Sequence, residues 1–329
     1  MLAITIHGKN YYLLIINKMY RILIILILWL SFVFSEMMGG YPGSGFRYGT
    51  NAREIALSGS MISNYNHGFN AFSNPALLSK SSTNKYALSY FPMSLDRSIQ
   101  VLSISRAVPP AAGISLSYVR IGTDDIKYTD DSNNLIGTGK HSESYGMISF
   151  GTHFNKISLG INLKALFHRL TDDYSSTGIG FDIGVNYEIS NTLSVGVLIK
   201  DINSNYLWNN IDNRLYEEDL PSVYSTGIKK VTKYVSISSQ YDALHIEDYT
   251  YHDFKIGLET ISDNISYLRK MKNPFTVRLG YVKSKSSYSF GFGLPININK
   301  DLLLILDYAI DPNLFNQGIS HLISITIEK

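Results

Sequence analysis

The sequence predicts a transmembrane antiparallel β-barrel of about 14 strands with a short helical plug at its N-terminal side. Three observations support this fold class. An apolar segment with basic residues before it opens the chain, and residues 51–78 lack the alternation of a strand. From Lys85 onward, segments of about ten residues alternate apolar and polar side chains, which is the length that a tilted strand needs to cross a membrane.

The first segment has the order of features found in a secretory signal peptide. Basic residues precede an apolar run over residues 22–34, and Ser35 follows it. The run has 13 residues, whereas a membrane-spanning helix needs about 20. We therefore expect residues 1–35 to be a signal peptide that is cleaved between Ser35 and Glu36, with Met19 as an alternative start.

Composition narrows the classes of function. Without residues 1–35 the chain has 26 basic and 27 acidic residues, so a strongly basic nucleic-acid-binding protein is excluded. The absence of cysteine is compatible with an exported protein. No linker or low-complexity tract divides the remainder, so we expect a plug over residues 36–83 and one barrel over residues 84–329.

Two short helices are expected in the plug. Asn51 is placed to cap a helix whose third residue is Glu54, which is the spacing of a capping box. Small and apolar residues share one face of this helix: Ala52, Ile55 and Ala56. Gly59 ends that face. Asn74 is placed to cap a second helix, with Pro75 at its first position, where a missing backbone donor costs nothing.

These plug residues resemble a known motif. The Ala52-Arg53 start, the small-residue patch Ser58-Gly59-Ser60 and the triplet Asn74-Pro75-Ala76 resemble the N-terminal hatch of FadL-like outer-membrane barrels. The similarity is greatest to the PorV/PorQ group and continues to the C-terminus. It implies a barrel of 14 strands, in the outer membrane of a Gram-negative-type bacterium, whose N-terminal segment folds back into the lumen. The hatch residues that it implies are Ala52, Arg53, Gly59, Asn74, Pro75 and Ala76.

The resemblance implies two functions, neither of them enzymatic. By similarity to PorV and PorQ, the preferred interpretation is that the protein handles cargo proteins in type IX secretion, with other type IX components as partners. By similarity to the wider FadL group, the alternative is a passive transporter of hydrophobic small molecules. A transporter needs an apolar pocket beside the plug. The candidate lining residues are Ile55, Leu57, Phe69, Phe72 and Leu77, which could instead pack the plug against the wall.

The strands are expected to expose apolar side chains to lipid and small polar side chains to the lumen. A soluble β-sandwich is the competing fold, and the lipid-facing alternation argues against it. Connections alternate in length, and the longest are predicted as outer loops over residues 122–140 and 203–220, which are the candidate surfaces for cargo. The fourteen strand centres are predicted near Leu88, Leu102, Leu116, Ile148, Leu163, Ile183, Val195, Ser225, Ser238, Ile256, Leu279, Phe292, Ile305 and Ile323.

Charged residues of both signs are predicted inside the lumen. They are Lys164, Asp182, Lys200, Lys255, Glu259, Arg278 and Asp307. We expect Lys164 to lie directly opposite Asp182, Phe167 opposite Ile179, and Ile161 opposite Val185. The charges could neutralise one another in a wet interior or could line a path for a solute.

Motifs for catalysis and for cofactors are absent from the sequence. It contains no nucleophile elbow, no HExxH pair and no complete phosphate-binding loop. His141, His153 and His168 could converge near one strand end, although unrelated strand histidines are the simpler interpretation. We therefore predict no catalytic residue, no metal and no cofactor, and outer-membrane lipid as the constant partner.

Overall fold

The computed structural model describes residues 40–64, 68–171, 174–209, 215–264, 274–312 and 318–329. The predicted signal peptide over residues 1–35, its cleavage site and residues 36–39 of the predicted plug lie outside the described residues. None of the described helices is long and apolar enough to cross a membrane.

Fifteen strands form one antiparallel sheet in the described part of the chain. Their bounds are Lys85–Pro92 (β1), Arg97–Val108 (β2), Ala112–Thr129 (β3), Leu135–Phe154 (β4), Ile157–Arg169 (β5), Ser175–Ser190 (β6), Leu193–Asn209 (β7), Leu215–Asp219 (β8), Val223–Val231 (β9), Ser236–Ile246 (β10), Tyr249–Ile261 (β11), Thr276–Val282 (β12), Ser287–Asn299 (β13), Leu302–Asp311 (β14) and Ser320–Glu328 (β15).

Fourteen of these strands close into a barrel. β1 pairs with β2 and with β15, each later strand pairs with its neighbours, and β7 joins β6 to β9. β8 pairs only with β7 and lies outside the closed ring. The prediction of a closed 14-strand barrel is confirmed, and each predicted strand centre falls on one barrel strand. Closure removes the sheet edges, whose unpaired backbone groups lipid cannot satisfy.

The barrel is apolar outside and polar inside. On β5, Leu159, Ile161 and Leu163 are exposed, whereas the alternating Asn162 and Lys164 are buried. This is the reverse of a soluble protein, and it leaves an apolar outer surface for a membrane. The predicted alternation of faces is therefore confirmed on this strand.

The predicted register between β5 and β6 is wrong by two residues. Lys164 lies opposite Gly180, and Asp182 lies opposite Asn162. Phe167 likewise faces Thr177 rather than Ile179, and Ile161 faces Ile183 rather than Val185. Because side chains alternate with a period of two, a shift of two residues keeps every side chain on its face. The apolar pattern therefore could not distinguish the two registers.

The two longest predicted loops are largely strands. β3 and β4 stay paired through most of residues 122–140, and β7 and β8 pair through most of residues 203–220. These hairpins extend beyond the barrel, at the end that we call the outer end. Away from lipid a strand needs no apolar face, so its sequence lacks the alternation that identifies a membrane strand.

The plug contains four short elements inside the barrel. They are the 3-10 helix η1 (Ser44–Arg47), the helices α1 (Ala52–Ala56) and α2 (Asn70–Ser73), and the 3-10 helix η2 (Pro75–Lys80). Both predicted caps are present, because the Asn51 side chain accepts from the Glu54 amide and the Asn74 side chain accepts from the Ala76 amide. The second predicted helix is the 3-10 helix η2, and α2 was not predicted.

The Glu54 half of the capping box differs from expectation. Its carboxylate accepts from the backbone nitrogen and the hydroxyl of Thr50, at 2.8 Å and 2.7 Å, and from the side-chain amide of Asn51 at 3.4 Å, instead of from the backbone amide of Asn51. Asn51 thus accepts from a free backbone amide at the start of α1. Glu54 binds Thr50, the residue before the cap, and holds the chain there.

Candidate functional site

The plug packs against both sides of the barrel. η2 contacts β3, β4, β5 and β6, and α1 contacts β12, β13, β14 and β15. Glycines in the barrel wall allow the close contact with the η2 segment. A Cβ atom on Gly160 would lie 2.3 Å from the Ala76 nitrogen, and one on Gly184 would lie 2.0 Å from Asn74 Oδ1. Only glycine leaves room for the plug backbone at these positions.

Asn74 links the plug to the wall as well as capping η2. Its Nδ2 donates to the carbonyl oxygens of Ile62 and Val185, each at 3.1 Å. Pro75 and Ala76 follow it, fully buried against the wall. One amide side chain therefore serves the helix start, the plug loop and strand β6 together.

A buried ionic network fastens α1 to the opposite wall. Arg53 Nε and Nη2 donate to the two carboxylate oxygens of Glu259 at 2.9 Å and 2.8 Å. Arg278 Nε donates to Glu259 at 2.7 Å, and Arg278 Nη1 donates to Asp307 at 2.6 Å. The two cations balance the two anions, so each buried charge has a partner of opposite sign.

A second network joins β5, β6 and β7 to η1. Lys164 Nζ lies 2.6 Å from Asp182 Oδ1 and 2.7 Å from Asp201 Oδ1. Arg47 Nη1 lies 2.7 Å from Asp201 Oδ2. Asn162 Nδ2 donates to Asp182 at 2.7 Å. The predicted contact between Lys164 and Asp182 is present as a diagonal pair, although the two residues are not directly opposed.

Asp201 was not predicted because a bulge turns it inward. Lys200 and Asp201 are consecutive, so regular alternation would place only one of them in the lumen. Between β6 and β7 the register shifts near Phe181, and Asp201 has a φ of 56°, in the left-handed region. The bulge re-aims Asp201 at Lys164 and Arg47, and a strand pattern alone does not reveal it.

A third ionic contact joins β11 to β10, which lies between the strands of the two networks. Lys255 Nζ is 2.6 Å from Asp242 Oδ2, and Gln240 Nε2 donates to Asp242 Oδ1 at 2.8 Å. Gln240 Oε1 in turn accepts from the amides of Met61 and Ile62. Six of the seven predicted lumen charges therefore form ion pairs, and Lys200 forms none with any described residue.

A cavity of about 160 Å³ lies beside the plug, toward the outer end. Tyr251, Lys285 and Asp311, which line it, belong to or adjoin the hairpins at that end. Of the five predicted pocket residues, Ile55 and Phe72 line this cavity. The other three do not line it: Leu57, Phe69 and Leu77 are buried, and Leu57 packs on Gly257 of the wall.

The sequence missed the aromatic wall of this cavity. Phe46 of η1 meets Tyr145 of β4 edge to face, with ring centroids 4.7 Å apart, and Phe72 lies 6.3 Å from Tyr145. Such geometry is the preferred arrangement of aromatic pairs. Phe46 and Tyr145 are far apart in the chain, so only folding of the plug into the lumen brings them together.

Two of the three predicted histidines converge. His141 Nε2 and His168 Nε2 lie 3.2 Å apart on β4 and β5, whereas the ring of His153 contacts the Ser79 carbonyl oxygen instead. Over the described ranges, no group of three or more His, Cys, Asp or Glu side chains is arranged to hold a metal ion.

Comparisons with known proteins identify the fold. No protein-family model and no curated protein sequence matches the chain. The Ralstonia pickettii toluene transporter TbuX is similar with a TM-score of 0.54 and 12% identity, over 86% of this chain and 98% of that one. The CymD monoaromatic hydrocarbon channel has a TM-score of 0.56 and 11% identity, over 88% and 98%. A Pseudomonas aeruginosa FadL homologue has a TM-score of 0.51 and 10% identity, over 85% and 98%.

At this level of identity the similarity concerns the fold. The chain is a closed 14-strand antiparallel barrel, the fold that these outer-membrane channels share. The FadL-like part of the predicted resemblance is thus supported. No feature specific to PorV/PorQ emerges from these comparisons, and none of them supports type IX secretion.

Proposed function

We propose that the protein is a passive, non-enzymatic channel for hydrophobic small molecules in the outer membrane. The observation that carries this proposal is the cavity between the plug and the outer end, with Phe46, Phe72 and Tyr145 in its wall. Aromatic side chains with a few polar groups are typical of small-molecule sites. The fold shared with a toluene transporter and a monoaromatic hydrocarbon channel supports the same conclusion.

The plug is part of the proposal. Residues 36–83 form the hatch and residues 84–329 the barrel in this interpretation, with Ala52, Arg53, Gly59, Asn74, Pro75 and Ala76 as hatch residues. Arg53 and Asn74 support it most directly, because each joins the plug to the wall. A plug held on both sides obstructs a wide aqueous path, and it directs a substrate through the cavity instead.

Cargo handling, the function that we preferred from the sequence, is the less supported of the two. It depended on similarity to PorV and PorQ, which the comparisons do not reproduce. Its candidate surfaces were two long loops, and these are mainly paired strands. The alternative predicted from the wider FadL group is the better supported function.

Uptake by intact cells tests the proposal. The protein is expressed in a Gram-negative host that lacks a hydrocarbon channel, and the initial uptake of radiolabelled toluene is measured. Val223 is buried and lines the cavity, so Val223→Trp should fill it and reduce uptake at least about fivefold, since it occupies the volume of a small ligand. Val231→Trp is the matched control, because Val231 is exposed on the same strand.

Equal uptake by cells with and without the protein would refute the proposal. Heat-modifiable mobility on gels verifies that each variant is folded, so that a loss of uptake is assigned to the cavity.

A further inference from the structure

Lys200 differs from four other lumen cations because the acidic groups that attract it, Glu54 and Asp182, form no ion pair with it. Arg47, Lys164, Lys255 and Arg278 each lie within 2.7 Å of a carboxylate oxygen. Lys200 lies on β7, only partly exposed, and lines the cavity. It takes part in no hydrogen bond or ion pair with another described residue. A sheltered ammonium group is costly unless it is paired, so a cation that remains free inside a site is available to a ligand.

The acidic residues of the cavity are already occupied by donors of the protein. Glu54 accepts from Thr50, and Asp242 accepts from Lys255 and Gln240. Asp253 accepts from the amides of Phe254 and Ser284 at 2.8 Å and 3.0 Å. Asp311 accepts from Ser287 and Ser289. These carboxylates therefore have their own donors, whereas the ammonium group of Lys200 donates to no described residue.

One wall of the cavity suits a small ring. Phe46, Phe72 and Tyr145 form an apolar wall, and Ile55 adds an aliphatic side chain to it. A cavity of about 150 Å³ is known to hold a benzene molecule in another protein, and this one measures about 160 Å³. That volume accommodates one six-membered ring with a small substituent.

We propose that the cavity binds small aromatic monocarboxylates, with the ring against Phe46, Phe72 and Tyr145 and the carboxylate on Lys200. This inference rests on the proposed channel function and specifies its substrate class. A hydrogen bond between an ammonium and a carboxylate is roughly twice as strong as a neutral one. The site therefore prefers a benzoate-like anion to a neutral molecule of the same shape.

Calorimetric titration of the purified, folded protein in detergent tests the preference. Benzoate and benzamide have nearly the same shape and differ in charge. We expect wild-type protein to bind benzoate about tenfold or more tightly than benzamide. Lys200→Met should abolish that preference without weakening benzamide, and Lys200→Arg should retain it. Lys140→Met is the control, because Lys140 is an exposed cation on the β3–β4 hairpin.

The outcomes separate this inference from the proposed function. Equal affinity for benzoate and benzamide, or a preference that survives in Lys200→Met, overturns the carboxylate site. If toluene uptake persists in that case, the channel function stands. Failure of all the aromatic probes to bind, together with absent toluene uptake, overturns both. Should Lys200→Met not fold, the wild-type ratio and the Lys200→Gln variant decide the question.

Discussion

Arg53 of the plug and Glu259 of β11 form a two-bond contact, in which Nε and Nη2 donate to both carboxylate oxygens. Two such hydrogen bonds fix the relative orientation of the side chains as well as attracting them, because the planar guanidinium matches the carboxylate. Arg278 supports Glu259 from the side and is itself held by Asp307. This short chain of charges therefore helps to orient α1 in the lumen, together with the hydrogen bond from the Ala52 amide to Ser324 Oγ.

Breaking this contact should loosen the plug. In planar bilayers we expect the wild-type protein to show low ionic conductance, and Arg53→Ala to raise the conductance or its fluctuations severalfold. The physical reason is that removing one partner of a buried pair costs about 3–5 kcal/mol. Lys80→Ala is the control, since the Lys80–Glu188 pair is longer, at 3.2 Å, and more exposed, and solvent weakens such a pair. A porin-like conductance in the wild type would contradict the closed plug.

Reversal of charge tests the pair between Lys164 and Asp182. We expect Lys164→Asp to be poorly tolerated, because it would place a third carboxylate beside Asp182 and Asp201. Exchange of both charges, Lys164→Asp with Asp182→Lys, should recover part of the folded fraction measured by heat-modifiable gel mobility. A double variant that folds no better than the single one would mean that the pair does not act as a unit.

The glycine at position 184 should be needed for plug docking. Gly184→Ala introduces a methyl group into the space of the Asn74 side chain, and overpacking of this kind costs about 1–3 kcal/mol. We expect faster proteolysis of the plug in folded barrels. Gly146→Ala is the matched control, because its added methyl group would meet nothing within 4 Å. Equal protease resistance in the two variants would argue against close packing at Gly184.

The hairpin between β3 and β4 distinguishes the two functions. Lys127 and Thr138 are paired across β3 and β4 near the tip, so residues 127–138 can be replaced by a short turn without cutting the barrel. We expect normal folding and normal toluene uptake, because the cavity lies deeper, beside the plug. Loss of export of a secreted protein with unchanged uptake would instead restore the cargo-handling interpretation.

The sequence by itself determined the fourteen barrel strands, the faces of β5 and the caps of the plug. A membrane strand must alternate apolar and polar side chains, so Leu159, Ile161 and Leu163 identify the lipid side of β5 without any tertiary information. The caps at Asn51 and Asn74 are equally local, since a helix start satisfies its free amides with the nearest side chain. Features of this kind depend on neighbours in the chain.

Only the tertiary structure decided the register, the bulge and the cavity. Two registers that differ by two residues expose the same faces, so the apolar–polar alternation could not predict that Asp182 lies opposite Asn162. Asp201 reaches the lumen through an irregularity in β7 that alternation does not encode. The wall formed by Phe46 and Tyr145 joins distant parts of the chain. Such relationships arise when the plug packs inside the closed barrel, and packing of this kind has no period in the sequence.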